Sequence, residues 1–243
     1  MNDQTAVFVL IDIASDSRGW GFSRYILGKR PFQHIPGLQF CKVLGSGLNG
    51  GFSTTPSLTK QGFFCVFDTA DHAARFQESS SILKAYQDHA HEFFIATLQA
   101  YSSRGSWSGF SMSCSDPNPQ SSGPIASLTR ASIRPSKAVQ FWKKAKPAED
   151  AITHASGKIL TAGVGEAPYF RQATFTIWDN AHCLEQYAQQ GAHLAAIKAA
   201  YGQTYFSESM FTRFRVMSAQ GVWQNKHVPV SYTHLTLPTI LLV

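Results

Sequence analysis

The feature that most constrains the fold is an internal duplication. Residues 37–107 and 157–223 each read as strand, turn, strand, helix, strand, with apolar residues changing from alternate spacing to helical spacing at corresponding points. The helix of each copy begins beside aspartate and histidine residues that we match as Asp68 with Asp179 and His72 with His182. A chain of this kind is expected to fold as two similar units.

Each copy is preceded by a further strand and helix. We predict them over residues 6–13 and 19–28 in the first copy, and over residues 126–133 and 136–151 in the second. Pro135 precedes the last of these helices, where a missing N–H costs nothing. Each repeat then reads β-α-β-β-α-β, which is the ferredoxin-like unit.

These repeats predict an α+β fold in which two ferredoxin-like sheets form a barrel. A sheet with helices on one face must cover its other face, and a second such sheet does this. We assign residues 1–110 to the first repeat and residues 125–223 to the second, which carries the presumed site. Residues 111–124, rich in Ser, Pro and Gly, have the composition of a linker.

The strands of the second copy have two chemically different faces. From the alternation of residues we predict an apolar face that packs under helices, and a polar, arginine-bearing face that lines a cavity or a wet interface. The first copy lacks this contrast, because Val7 and Phe8 begin a strand that is apolar on both faces. The predicted apolar face comprises Thr129, Ala131, Ile133, Ala173, Phe175, Ile177, Thr212, Phe214 and Val216. The predicted polar face comprises Arg130, Ser132, Arg134, Gln172, Thr174, Thr176, Trp178, Phe211, Arg213 and Arg215.

Composition narrows the class of protein. The net charge of +6 is modest, and the tightest basic cluster is Lys143, Lys144 and Lys146, which argues against a nucleic-acid partner. Four isolated cysteines without C-x-x-C spacing argue against a zinc site or a disulfide framework. No apolar stretch is long enough for a membrane-spanning helix, and the N-terminus lacks a secretory pattern. A cytoplasmic protein is expected, with peripheral contact at the inner membrane left open.

Residues 230–243 need separate treatment. This stretch follows a polar segment, has no counterpart elsewhere in the chain, and resembles the translation of a sequencing-library adapter. We interpret it as a non-native tail, the alternative being a genuine strand. No functional role is assigned to it.

Three local motifs favour structural roles. The G-x-G-x-x-G pattern from Gly45 to Gly50 lacks the following helix that dinucleotide binding needs, so it predicts a glycine-rich hairpin. His89 and His91 lack a third ligand nearby and favour a solvated pair over a metal site. Glu166 lies at a turn, where a hairpin role is more common than a catalytic one.

His193 is the most informative histidine, since the first copy has no equivalent of it. It follows Gly191, which interrupts the predicted helix. Capping or core packing is the commoner role for such a residue, and metal ligation is the alternative.

Together the motifs resemble the spheroidene monooxygenase family, the acyclic carotenoid 2-ketolases. The resemblance covers nearly the whole chain up to Trp223 and depends on the order of the motifs, since each alone would be weak. The stretches that carry it are residues 18–22, 40–47, 128–135, 141–142, 163–168, 172–178, 193–197 and 211–214.

This resemblance implies an oxygenase that converts C2 of an acyclic carotenoid to a ketone, with O2, haem and reduced ferredoxin as electron donor. Side chains alone cannot oxygenate an unactivated C–H bond, so an oxygen-activating cofactor is expected. His193 becomes the expected haem-iron ligand, with Arg134 and Trp178 as further cofactor-binding residues. Arg130 and Arg213 are the expected catalytic residues, by pairing with propionates or stabilising bound oxygen.

Two alternatives stay open at the level of sequence. One is a cofactor-free oxygenase built on a related barrel. The other is a non-catalytic barrel that binds haem or another hydrophobic ligand.

Overall fold

The computed structural model describes residues 4–51, 53, 55–114, 123–189, 205–228, 230 and 231. Within them the order β-α-β-β-α-β occurs twice, as predicted, with an additional short helix in the first repeat. The elements of the first repeat are β1 Thr5–Ile13, α1 Arg18–Leu27, β2 Leu38–Gly47, β3 Pro56–Phe67, α2 Ala70–Ser79, α3 Ser81–Asp88 and β4 Ala90–Gly105. Those of the second repeat are β5 Ile125–Ile133, α4 Ala138–Thr153, β6 Lys158–Ala167, β7 Arg171–Trp178, α5 Ala181–Gln189 and β8 Phe206–Trp223, followed by the short strands β9 Lys226–His227 and β10 Val230–Ser231.

Eight antiparallel strands close into a barrel. The hydrogen-bonded order is β8-β4-β1-β3-β2-β6-β7-β5, and β5 pairs again with β8. Each repeat supplies four adjacent strands in the ferredoxin-like order. The repeats meet along the long β4–β8 ladder and along a short β2–β6 contact at Gly45 and Gly165. The predicted α+β barrel is therefore confirmed.

The barrel interior is a packed apolar core drawn from both repeats. The rings of Phe8 and Phe175, one from each repeat, stack with centroids 4.0 Å apart. An eight-stranded barrel is just wide enough for side chains to fill its interior. The other interior residues include Ala6, Leu10, Phe64, Val66, Leu98, Ala126, Leu128, Leu160, Ala162, Val164, Ala173, Ile177, Met210, Phe214 and Val216.

The strand register corrects the predicted faces of the second copy. Arg130 lies opposite Ala173, and Thr129 lies opposite Thr174. Alternation separates the two faces of one strand, but only the register shows which faces of neighbouring strands coincide. Arg130 therefore belongs with Phe175 and Phe214 on the inner face, and not with Trp178 and Arg213 on the outer face.

The predicted environment of the apolar face was also wrong. The apolar set that includes Phe175 and Phe214 fills the barrel, and does not pack under helices. The polar residues of β7 and β8, including Arg213, face outward toward the helix layer. The reason is physical: a narrow closed barrel takes the most apolar face inside.

Both faces of the first repeat are apolar, as predicted. Its outer face, under α2 and α3, includes Val7, Val9 and Ile11 of β1, which lie at 0% exposure beside Phe63 and Phe76. Among the described residues of the second repeat, the corresponding outer cluster has Tyr101, Ile125, Trp178 and Leu184 at its centre. The half-exposed Arg213 lies on the same outer face.

The N-terminal ends of α2 and α5 show that one predicted match between the repeats, His72 with His182, was wrong. The backbone N–H of His72 donates to the Thr69 hydroxyl, and that of Cys183 donates in the same way to the Asn180 side chain. These equivalent N-caps place Cys183, and not His182, at the position of His72.

Three other predictions from the sequence concern the glycine-rich hairpin, the C-terminal stretch and membrane-spanning helices. The glycine-rich hairpin is confirmed, because Gly45 lies within β2 and no helix follows it. Residues 232–243 lie outside the described residues, while Val230 pairs with Ala219 of β8. No helix in the described ranges is long and apolar enough to cross a bilayer.

Candidate functional site

A buried arginine organises one end of the barrel. Arg130, near the end of β5, is 2% exposed. Its guanidinium donates to Glu208 Oε2 at 2.5 Å and to Glu166 Oε2 at 3.2 Å. The guanidinium carbon lies 5.5 Å from the centroid of the Trp107 ring. Its Nε is buried and has no hydrogen-bond partner among the described residues, so the donor capacity of the group is incompletely used.

Glu166 joins the two repeats at this end. Its carboxylate accepts from Lys42 Nζ of β2 at 2.6 Å and from the Trp107 indole at 2.9 Å. Burial opposes ionisation, but the hydrogen bonds from Lys42 and Trp107 and the nearby charges more than offset it, so the pKa of Glu166 is lowered. Glu166 is therefore more than the hairpin residue predicted from sequence.

Glu208, at the start of β8, is held as a carboxylate. It accepts from the Gly109 backbone N–H and from the Ser106 hydroxyl, each at 3.0 Å. Burial favours the neutral acid, but these bonds, the Ser108 N–H and Arg130 overcome it and lower the pKa of Glu208 to about 2. The acid at this position stays ionised over the physiological range.

The carboxylate and its turn occur twice in the molecule. Trp107 follows Glu92 by 15 positions, and Trp223 follows Glu208 by 15 positions. At the opposite end of the barrel Glu92 accepts from the backbone N–H groups of Gln224 and Asn225, both at 2.8 Å. Both turns need left-handed backbone, with φ of 53° at Ser108 and at Gln224. The glutamate–turn contact is thus part of the duplicated architecture.

Among the described residues, the charges of Arg130 and Glu166 are present at one end of the barrel and have no counterpart at the other. Counting from the corresponding glycines 37 and 157, Ser46 stands where the second repeat has Glu166, and Leu10 of β1 stands where β5 has Arg130. Trp223 accordingly lacks a partner for its buried indole N–H among the described residues, whereas Trp107 has Glu166. The Arg130–Glu166 pair is what distinguishes the two ends.

The remaining predicted site residues lie elsewhere. Trp178 is fully buried on the outer face, where its indole donates to Ser127 Oγ at 3.1 Å. Arg213 shares this outer face, and its side chain is 41% exposed, with Glu185 of α5 3.9 Å away. The structure brings Trp178 and Arg213 to one face and places Arg130 on the other side of the same sheet.

Arg134 belongs to neither group, and His193 cannot be assigned to one, because it lies outside the described residues. Arg134 is exposed at the end of β5, where its Nε donates to the carbonyl of Phe206 at 3.2 Å. His193 lies outside the described residues, four positions beyond Gln189, the last residue of α5. The outer face beside α5 is therefore the described surface nearest to it along the chain.

The outer face of the second repeat includes one buried hydroxyl whose hydrogen bonding is incomplete. Tyr101 is 5% exposed, and its hydroxyl makes no hydrogen bond of normal geometry to the described residues. Burial raises the pKa of Tyr101, although the cationic Arg213 nearby opposes this. On this face the half-exposed Arg213 lies beside the Tyr101 hydroxyl, and Trp178 of β7 and Leu184 of α5 are apolar and buried.

The first repeat has a groove at the corresponding place. A cavity of about 410 Å³ lies between α2 and the outer face of β1, β4 and β8. Its lining includes Thr97 and Gln99, which correspond along the β4 and β8 strands to Arg213 and Arg215. In the first copy this position is an open groove with neutral β4 side chains, and in the second copy it carries Arg213 and Arg215.

His89 of the first repeat has structural contacts. His89 Nδ1 lies 3.0 Å from the Ser17 hydroxyl, and its ring packs on Trp20 with centroids 4.3 Å apart. The part of the chain that the structure describes contains no group of three or more His, Cys, Asp or Glu side chains able to hold a metal ion.

Comparison with known proteins gives close sequence relatives. The chain is 44% identical over 220 residues to the spheroidene monooxygenase of Rubrivivax gelatinosus, covering 90% of this chain and 85% of that protein. It is 31% identical over 217 residues to the spheroidene monooxygenase of Rhodobacter capsulatus, covering 87% of this chain and 89% of that protein. No protein-family model matches the chain.

Among solved structures, two aldoxime dehydratases share the fold. One, in complex with butyraldoxime, matches with a TM-score of 0.58 over 88% of this chain and 80% of that chain at 10% identity. The other matches with a TM-score of 0.58 over 88% of this chain and 82% of that chain at 11% identity. These likenesses concern the fold alone.

We expect Arg130→Leu, which copies Leu10 of the first repeat, to destabilise the protein by about 3 kcal/mol, because it leaves buried carboxylates without their cation. The double variant Arg130→Leu/Glu166→Ser reproduces the Leu10 and Ser46 pair of the other barrel end and should be more stable than Arg130→Leu alone. Urea unfolding of the purified variants measures both effects. Strictly additive losses would contradict the pairing.

The lowered pKa of Glu208 predicts an acid-dependent loss of stability. Since the pKa is lower in the folded protein, its contribution is complete above the unfolded value of 4.5 and is lost as the pH falls toward about 2. Glu208→Gln should therefore reduce the fall in unfolding free energy between these values, as measured by urea unfolding at several pH values. Glu78→Gln, at an exposed position of α2, is the control and should follow the wild type.

Proposed function

The chain belongs to the spheroidene monooxygenase family, and from this membership we propose that it oxygenates C2 of an acyclic carotenoid to give the 2-keto product. The observation that carries the proposal is the 44% identity over 90% of the chain to a protein of that name. The chain is a monooxygenase; the substrate, the position of attack and the cofactor are the proposed parts.

The proposed reaction balances as two successive oxygenations at one carbon. Each consumes one O2, two electrons and two protons, inserts one oxygen atom into a C–H bond and releases one water. The second produces a carbon bearing two hydroxyl groups, which loses water to form the ketone. Each oxygenation needs two external electrons, and we propose that reduced ferredoxin supplies them.

We propose haem as the cofactor, held against the outer face of the second repeat. Arg213, half-exposed on this face, would pair with a propionate. The buried cluster of Trp178, Ile125 and Leu184 makes the interior behind this face apolar. His193 is the proposed iron ligand. When bound, the haem would supply the oxygen activation that side chains cannot.

The described residues of this face would bind and orient the cofactor. The Tyr101 hydroxyl lies beside the Arg213 guanidinium, and the two groups would together bind an acidic group of the ligand. Trp178, fixed by its bond to Ser127, would keep one side of the site dry. Arg130, on the opposite face of the sheet, would act by holding the barrel end in shape and not by contacting the same ligand.

The substrate also implies a location. An acyclic carotenoid is a long apolar polyene that partitions into lipid, so the enzyme must take it from a membrane. We therefore propose peripheral contact with the inner membrane.

The cofactor is tested by absorption spectroscopy of protein purified after haem-supplemented expression. We expect a Soret band that His193→Ala shifts or removes and that Arg213→Ala weakens through lost haem affinity. Lys84→Ala, which removes an exposed cation of α3, should leave the band unchanged. Absence of the band in the wild type would eliminate haem and favour a cofactor-free oxygenase. An unchanged band in His193→Ala would eliminate only that ligand.

Product analysis then separates an oxygenase from a binding protein. The protein is incubated with O2, reduced ferredoxin and lycopene, neurosporene or spheroidene, and the products are identified by mass. We expect a gain of oxygen at C2 in at least one carotenoid. A Soret band without any oxygenated product would favour a haem-binding barrel.

A further inference from the structure

We propose that an aromatic patch at one end of the barrel docks the protein on an anionic membrane surface. The patch consists of Val139, Phe141 and Trp142 of α4 with Tyr169 and Phe170 of the β6–β7 turn. Val139 is 70% exposed, Tyr169 46% and Phe170 42%. Large apolar side chains grouped on a surface mark an interaction site more often than single ones do.

The patch is a built surface. The Trp142 indole donates to the carbonyl of Tyr169 at 3.1 Å, which ties α4 to the β6–β7 turn. The rings of Trp142 and Tyr169 lie 6.2 Å apart, and those of Phe141 and Trp142 lie 5.5 Å apart. Tyr169 adopts a φ of 67°, a left-handed backbone conformation that is uncommon for residues other than glycine. This costly backbone presents an aromatic side chain at the tip of the turn.

Positive charges surround the patch. Arg134, Lys143 and Arg171 are exposed beside it, and Lys137 is half-buried. The two stretches that form the patch and its rim, residues 134–143 and 168–171, contain no aspartate or glutamate. Tryptophan and tyrosine favour the boundary between lipid chains and water, and basic residues are attracted to anionic headgroups. This combination fits the surface of an anionic bilayer.

Charge also argues against a second copy of the chain as the occupant. A symmetric dimer through this patch would place each basic rim against its own copy, and like charges facing each other across an interface are unfavourable. An anionic bilayer instead compensates the rim. The charge pattern therefore selects the membrane.

The aromatic patch lies at the same end of the barrel as the buried ion pair. Tyr169 lies three positions after Glu166, so the patch is at the barrel end that carries the Arg130–Glu166 pair. The inference deepens the proposed function and rests on it in one respect: the carotenoid substrate is the reason for the protein to contact a membrane. Its structural basis, however, is independent of any cofactor or substrate.

Vesicle co-sedimentation of the full chain tests the inference, with phosphatidylcholine alone compared with phosphatidylcholine and phosphatidylglycerol. We expect binding to the anionic vesicles, and weaker binding at high salt. Tyr169→Ser/Phe170→Ser and Lys137→Gln/Lys143→Gln should each reduce the bound fraction by roughly tenfold. Circular dichroism and thermal unfolding show whether each variant is folded.

A matched control comes from the first repeat. Phe22 and Ile26 of α1 are 59% and 72% exposed, so Phe22→Ser/Ile26→Ser removes a comparable apolar surface from another part of the molecule. This variant should bind like the wild type. The C-terminal stretch is common to all variants, so its contribution cancels in the comparison.

Three results would overturn the inference. They are failure of the wild type to bind anionic vesicles at low salt, undiminished binding by both patch variants, and an equal loss in the α1 control. Sedimentation velocity without vesicles adds a fourth, since a dimer that the patch substitutions dissociate would assign the surface to self-association. Vesicle binding needs neither haem nor carotenoid, so its failure beside normal product formation would leave the proposed function intact.

Discussion

The long pairing of β4 with β8 is the contact on which the rest of the structure depends. It joins the last strands of the two repeats in an antiparallel ladder from Phe94–Gly221 to Gly105–Met210. With the ladder formed, the apolar faces of both half-sheets meet in one closed interior, and neither is left for water to cover. The same ladder brings the start of each strand beside the end of the other, which is why Glu92 and Glu208 each bind the turn that follows the other repeat's final strand.

On this symmetric frame the second repeat introduces two departures. Inside the barrel, Arg130 and Glu166 replace Leu10 and Ser46, so one end gains a buried ion pair that Lys42 and Trp107 complete. Outside the barrel, Arg213 and Arg215 stand where the first repeat has the neutral Thr97 and Gln99. The first departure holds the two repeats together at the end beside the aromatic patch. The second creates the only described outer sheet face with a half-exposed arginine at the groove position, which is where we place the cofactor.

Much of the fold follows from local sequence. The duplication, the element order and the closed barrel were predictable because helix and strand periodicities differ and because a half-sheet must bury its second face. The face of Arg130 was not predictable, since alternation within β5 says nothing about its register against β7. Glu166 looked like a turn residue because its partners, Lys42 and Trp107, are distant in sequence. One signal was present in the sequence and could have been used: the equal 15-residue separations of Glu92 from Trp107 and of Glu208 from Trp223.

We propose that one of the two duplicated outer faces was converted into a cofactor site. Hydrogen–deuterium exchange of the protein with and without added haem tests it most directly. The account predicts slower exchange on haem addition in peptides containing Tyr101, Leu184 and Arg213, with no change in the first-repeat peptides containing Val9, Phe67 and Phe76. Protection confined to the first repeat, or to the strand ends around Arg130 and Glu166, would contradict it.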